Sequence, residues 1–372
     1  MKNNTRFGFI DLGKTLAIIF ILLIHNGFSG LNNVVLFAMP LFFFCSGYLF
    51  TPGRRTLKQT AIAQFKKVLL PFWGLMIVYA VVELIRAPYV GYGDPEIIRP
   101  AINAIYGSSA LPNPNGIFDA LRSIRTYNSD PRAIVLISPT YCHLWFLPAF
   151  FTASIIFSFI AERVRKLSFR IIAIIALVFL SSLESTIPEL YQLPYGIGRG
   201  FMGASFMLVG FQMRKIAIFE PQKRRVAIPL FVIGLCVAVV SILLGSTGGA
   251  YIVSYYGSYG ILSTYLTFLG GLGALFCVLY ICKLLSDALS ISEKSLSSII
   301  GRNTMTIYGW HFLIIFILDV LYVNIFSLSF EPDAYYMALL PVDSAWWYMI
   351  LKVVAVIAIC IGFAQSRRST YH

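Results

Sequence analysis

The run Phe9–Phe28, FIDLGKTLAIIFILLIHNGF, decides how the rest of the chain is read. It is an almost unbroken apolar stretch of about 20 residues, the length that crosses a hydrocarbon core as a helix. Yet it contains Asp11, Lys14 and His25. Two charges lie inside it and no small-residue cleavage site follows, so it reads as a retained span and not as a signal segment. Working outward, further apolar runs recur near 34–51, 67–86, 144–161, 169–184, 199–213, 226–245, 259–284, 303–325 and 345–364. The recurrence predicts an all-α, polytopic transmembrane bundle of about ten spans. The run at 199–213 is the weakest, because Arg199 and several glycines interrupt its entry.

Composition agrees. The 372 residues are 58% hydrophobic and only 12% charged, with a mean hydropathy of +0.79. A soluble domain devotes about 25% of its residues to charge, so this chain lacks the means to coat a water-facing surface. A soluble enzyme, a disordered tail and a nucleic-acid-binding module are excluded together. The net charge of +13 has another origin, since the basic residues fall in gaps between apolar runs. Lys2, Arg6, Arg54, Arg55, Lys58, Lys66, Lys67, Arg163, Arg165, Lys166, Arg170, Arg214, Lys215, Lys223, Arg224, Arg225, Lys283, Lys294, Arg302, Arg367 and Arg368 occupy alternate flanks. The intervening loops are nearly free of basic residues, except for 87–142 and Arg199. The positive-inside bias then places both termini in the cytoplasm. The whole of 1–372 reads as one integral membrane domain with an extracytoplasmic loop insertion at 87–142. That loop is rich in Pro, Gly, Asn and Tyr, which suits either a folded cap or a surface for a hydroxyl-rich acceptor. The six cysteines show no paired spacing for a metal, and no metal site is expected.

Ionisable groups inside spans are expensive and face a bundle interior or a wet cavity. They are Asp11, Lys14, His25, Glu83, Arg199, His311, Asp319 and Lys352. Eleven helical positions at about 100° each return within about 20° of whole turns, with a rise of roughly 16 Å. Lys14 and His25 therefore share a stripe of the first helix, with Asp11 one turn before Lys14. The expected depths are the cytoplasmic end for Lys14 and the outer end for His25. Singly, Lys14 reads as a snorkelling lysine and His25 as a helix-end histidine bonded to a neighbour. Jointly they read as stations on a pathway across the bilayer.

Four more blocks accompany this pair in order: Met39–Phe50 (MPLFFFCSGYLF), Phe65–Trp73 (FKKVLLPFW), His143–Leu147 (HLWFL) and Gly301–His311 (GRNTMTIYGWH). Together they resemble the membrane-bound acyltransferase-3 family, whose basic-x10-His signature Lys14 and His25 match. The resemblance runs from residue 6 to about 315. It implies a ten-helix membrane enzyme that O-acylates an extracytoplasmic or lipid-linked carbohydrate, commonly with acetyl-CoA from the cytoplasm as co-substrate. The setting it implies is the bacterial inner membrane, with no permanently bound cofactor. Lys14 stands where many members have Arg, which keeps the charge and loses the planar bidentate fork. No appended soluble transferase domain is expected.

For such a transfer a base must take the acceptor hydroxyl proton, and imidazole suits this near neutrality. His25 is the candidate base, or alternatively an acyl-accepting nucleophile. Lys14 would meet the donor's anionic portion or polarise its carbonyl. Asp11, Lys66, Lys67 and Arg302 are candidate donor-binding residues, although the positive-inside rule explains the basic ones too. His143, Trp145, Arg199 and His311 are candidate acceptor-binding residues. For Trp145 the plain alternative is an interfacial aromatic belt. For His311 it is a structural pairing with Asp319 or Lys352. Ser46-Gly47-Tyr48 reads as a close-packing element, and Asn303 as a helix cap. Two rival functions remain open: a transporter or flippase of polysaccharide intermediates, and a scaffold for a glycan synthase complex.

Overall fold

The structure is a computed structural model and describes residues 7–26, 28, 31, 37–90, 142–186, 193–244, 261–328 and 346–369. Within a bilayer a segment must satisfy its backbone polar groups internally, and a helix does so alone. Every apolar run of the sequence accordingly coincides with a helix. These are α1 (Gly8–His25), α2 (Ala38–Tyr48), α3 (Leu57–Gln64) continuing into α4 (Leu70–Val90), and α5 (Phe146–Arg163). They continue with α6 (Leu167–Thr186), α7 (Ile197–Lys215), α8 (Arg224–Leu243), α9 (Ile261–Ala288), α11 (Thr304–Phe326) and α12 (Trp346–Ser369). A short α10 (Leu296–Arg302) links α9 to α11. Among the described residues there is no strand, and seven helical segments are long and apolar enough to cross a membrane. The helices Ala38–Tyr48 and Leu167–Leu183 are apolar but shorter.

Large apolar side chains point outward, among them Ile77, Leu243, Ile325 and Trp346. In water such a surface would aggregate; against lipid it is matched. Helix α8 makes the inversion plain. Its buried residues are Ala227, Gly234, Ala238 and Ser241, while Val232, Ile233, Val239 and Leu243 are exposed. Small residues let backbones approach, as is usual between helices in lipid. A Cβ on Gly234 would stand 3.1 Å from the Gly273 carbonyl of α9.

The centre belongs to α2 and α7. Nearly all of α2 is buried, so protein on every side supports a helix too short for a straight span. Gly47 lies against the backbone of Met207, and Gly210 against the Phe44 carbonyl, so a Cβ at either would overlap main chain. The close-packing reading of Ser46-Gly47-Tyr48 holds for Gly47. The glycines and Arg199 that weaken the hydropathy of α7 are interior residues, because α7 is wrapped by protein rather than lipid.

The third run begins earlier than the expected 67–86. A capping box starts α3: Thr56 Oγ1 accepts from Gln59 N–H (3.2 Å), and Gln59 Oε1 accepts from Thr56 N–H (3.0 Å). Phe65–Leu69 then form a π turn. Pro71 lacks an N–H and its ring crowds the carbonyl four residues back, that of Lys67, which a wider turn relieves. Residues 87–90 complete α4, and the remainder of the loop expected at 87–142 lies outside the described residues up to Cys142.

Candidate active site

One end of the bundle gathers the start of α1 with the ends of α2, α5 and α7. Phe9 packs on Tyr48 and Phe219, and Phe50 packs on Phe157 and Phe211. Arg214 donates to the carbonyls of Tyr48 (3.1 Å) and Phe50 (3.3 Å), closing the carbonyl end of α2 with a cation. Such a meeting of helix ends is what the alternation of basic flanks predicts.

Within the bundle, α1 carries Asp11, buried, and Lys14 and His25, both half-buried. The turn at Asp11 touches α10, where a Cβ on Gly301 would lie 2.5 Å from the Asp11 carbonyl oxygen. Thr15 Oγ1 donates to the Ser297 carbonyl at 2.7 Å. These contacts set α1 against the segment that leads into α11. Fourteen residues after Asp11, the ring of His25 meets that of His311 edge to edge, with centroids 5.1 Å apart and planes 9° from parallel. Its Nδ1 lies 2.9 Å from His311 Nε2. His311 Nδ1 in turn lies 2.7 Å from the Tyr308 carbonyl oxygen.

The carbonyl settles the protons. It only accepts, so His311 carries hydrogen on Nδ1 and, when neutral, presents a lone pair on Nε2. His25 must then donate from Nδ1, and its own Nε2 is left with a lone pair. Phe312 closes one side of both rings, at 4.8 Å from His25 and 4.4 Å from His311. His311 is completely buried and His25 is not. Of the two imidazoles, His25 is the one with an open side.

The turn that carries His311 is held from outside its own helix. Tyr79 of α4 donates its hydroxyl to the Gly309 carbonyl (2.9 Å) and accepts from the Leu313 N–H (3.3 Å). Those two groups pair with each other in a regular α-helix, so the phenol bridges the ladder at this turn. Leu75, one turn before Tyr79, presses on Gly309, where a Cβ would meet Leu75 at 2.9 Å.

The acceptor candidates are only partly brought together. Trp145 is buried, so it is not part of an interfacial belt. Its ring receives the guanidinium of Arg199 at 5.0 Å. Trp145 meets Phe146 edge-on, Phe146 meets Tyr308, and Tyr308 meets His311. A continuous line of rings therefore joins Arg199 and Trp145 to the histidine pair. Backbone strain lies beside it: Tyr195, with φ 54, and Gly196, with φ 57, lead into α7. His143 belongs by its backbone to the turn Cys142–Trp145, and its side chain lies outside the described residues, as does that of Glu83.

Other expectations change. His311 does not pair with Asp319 or Lys352, which pair with each other at 2.9 Å with both side chains fully buried. Tyr348 donates to the same carboxylate at 2.9 Å. Asn303 makes no cap bond and donates instead to the Ile299 carbonyl at 2.8 Å. Arg302 folds back on its own segment, donating to the carbonyls of Ser298 (3.1 Å) and Glu293 (2.8 Å). Lys66 and Lys67 are exposed in the π turn. His25 is the last residue of α1, while its partner His311 is about 10 Å from the start of α11 and about 22 Å from its finish.

A model described as an acyltransferase domain, that of the acyltransferase-3 family, matches residues 7–365. The chain belongs to the acyltransferase-3 family. It is a multi-pass membrane acyltransferase, and the matched range contains the His25–His311 pair, Lys14 and the Tyr79 brace. Comparison with curated proteins finds no match, and comparison with solved structures finds none. Reading the sequence misses Tyr79, because a tyrosine in an apolar run carries no signal. The His25–His311 pairing has only a faint one: two of four histidines lie within spans, and each needs a partner there.

Proposed function

We propose that this acyltransferase moves an acyl group, acetyl in the first instance, from cytoplasmic acyl-CoA to a hydroxyl of an extracytoplasmic or lipid-linked carbohydrate. Its setting is the bacterial inner membrane, with the termini cytoplasmic, as the basic flanks favour. The observation that carries the chemistry is the hydrogen-bonded line from the Tyr308 carbonyl through His311 to His25.

In this reading His25 Nε2 takes the proton of the acceptor hydroxyl as that oxygen attacks the thioester carbonyl. The new C–O bond forms, the C–S bond breaks, and the thiolate of CoA takes the proton back from His25. The charge that appears on the imidazole is met at Nδ1, whose N–H donates to His311 more strongly once His25 is cationic. Lys14 on the same helix stabilises the donor's negative charge as a point charge. Arg199 and Trp145, joined to the pair by a line of ring contacts, fit the side from which an aromatic-binding, hydroxyl-rich acceptor arrives.

Mass analysis of surface glycans from cells with the protein, without it, and with His25→Ala tests the reading. A fixed acyl mass present only with the intact protein is expected. Retention of that mass in the His25→Ala cells overturns His25 as the base. Glycan export lost with acylation intact in the glycans that remain would favour a transporter.

A further inference from the structure

At the end of the bundle that the basic flanks assign to the cytoplasm lies a cavity of about 690 Å³. Its wall includes Arg55, Arg165, Arg170, Lys215, Phe211 and Glu162. We propose that this cavity binds the phosphorylated nucleotide portion of the acyl-CoA donor. The inference rests on the acyltransferase reading above and gives its donor a site that the sequence motifs do not include.

Charge placement carries the argument. Arg170 is buried, with 4% of its surface exposed. Its Nε donates to the Val164 carbonyl (2.7 Å) and one terminal nitrogen donates to Gln212 Oε1 (3.2 Å). Its guanidinium lies 4.9 Å from the centre of the Phe211 ring. The Lys215 ammonium lies 4.7 Å from the centre of the same ring. Two cations thus converge on one phenyl group, and among the described residues neither forms an ion pair. Arg55 and Arg165 add exposed guanidinium groups, against the single carboxylate of Glu162.

The positive-inside bias accounts for cations at this end, but it leaves them free in water. It does not account for an arginine withdrawn into a cavity wall beside an unneutralised lysine. A polyanion answers that arrangement. Guanidinium forks match phosphate oxygens, and the ammonium supplies a point charge. The volume falls in the range of small-molecule sites, about 300–1,000 Å³. That exceeds what a bare phosphate fills and suits a nucleotide carrying a diphosphate and a ribose phosphate. Arg302, the arginine that the motifs offer for this task, already donates to two backbone carbonyls.

The test uses the full-length protein in nanodiscs, with binding of CoA, dephospho-CoA, 3′,5′-ADP and inorganic phosphate measured by calorimetry. Wild-type protein should bind CoA, bind dephospho-CoA more weakly, and release CoA to 3′,5′-ADP. The combined change Arg55→Gln, Arg165→Gln, Lys215→Gln should weaken CoA at least about tenfold, a loss of about 1.4 kcal/mol. Lys223→Gln with Arg225→Gln removes two exposed cations that do not line the cavity and should leave CoA affinity unchanged. Unaltered CoA affinity in the triple variant overturns the site. So does a loss that appears only as weaker association with anionic nanodisc lipid, which would make the ligand a lipid headgroup. If wild-type protein itself binds no CoA, the donor assignment in the proposed function falls as well. Thermal unfolding of each variant shows that the fold is intact.

Discussion

The Nδ1 of His25 and the Nε2 of His311 stand 2.9 Å apart although 286 positions separate them in the chain. The bond joins the last residue of α1 to the second turn of α11, and a backbone carbonyl on the far side of His311 sets its polarity. A pair built in this way leaves a lone pair on Nε2 of His25, the less buried of the two imidazoles.

His25→Ala should cost roughly 10²–10⁴ in acyl transfer, the usual range for a general base. His311→Gln should cost at least about tenfold by releasing the His25 ring from its tautomer and orientation. Because the two act as a unit, the double variant should be little worse than His25→Ala alone. Turnover with radiolabelled acetyl-CoA and purified protein checks all three. Additive losses would show that the residues act separately.

Tyr79→Phe removes one hydroxyl that touches no substrate in the proposed reaction. Loss of its bonds to Gly309 and Leu313 should lower stability by about 1–2 kcal/mol. Turnover at saturating donor should fall while CoA affinity holds, since the turn bearing His311 resets. Reduced stability with unchanged turnover would confine Tyr79 to a structural role.

Asp319→Ala should destabilise the protein by about 3–5 kcal/mol, because it strands the fully buried Lys352 ammonium. Asp319→Leu combined with Lys352→Met replaces both charges with apolar volume and should recover most of that loss. Unfolding in mild detergent measures both. Equal damage from the single and double variants would contradict this account of the pair.

Gly47→Ala places a methyl on the Met207 backbone, where no side-chain rotation relieves it. It should lower the yield of folded protein, with a cost of at least about 1–3 kcal/mol. Gly74→Ala, in α4, meets nothing within 4 Å and should be neutral or stabilise by up to about 1 kcal/mol. Size-exclusion profiles of the two variants should differ accordingly.

The helices were legible because the demand that makes them is local. A run of apolar residues long enough to cross hydrocarbon must pair its own backbone groups, and Phe9–Phe28 already contains that instruction. The Lys14–His25 stripe is equally local, since helical pitch alone relates the two. Which faces meet is a different matter. Lipid tails are as apolar as leucine, so a helix facing lipid and a helix facing protein read alike. His311 finding His25 and Tyr79 reaching across to the turn of α11 depend on close approach at glycines such as Gly301 and Gly309, and Asp319 finding Lys352 depends on how α11 packs against α12. The chain on its own determined where apolar helices form and the charges they carry. Only the packed bundle decided which of those charges and imidazoles share a bond, because partner choice is set by contact between distant backbones and not by pattern along one of them.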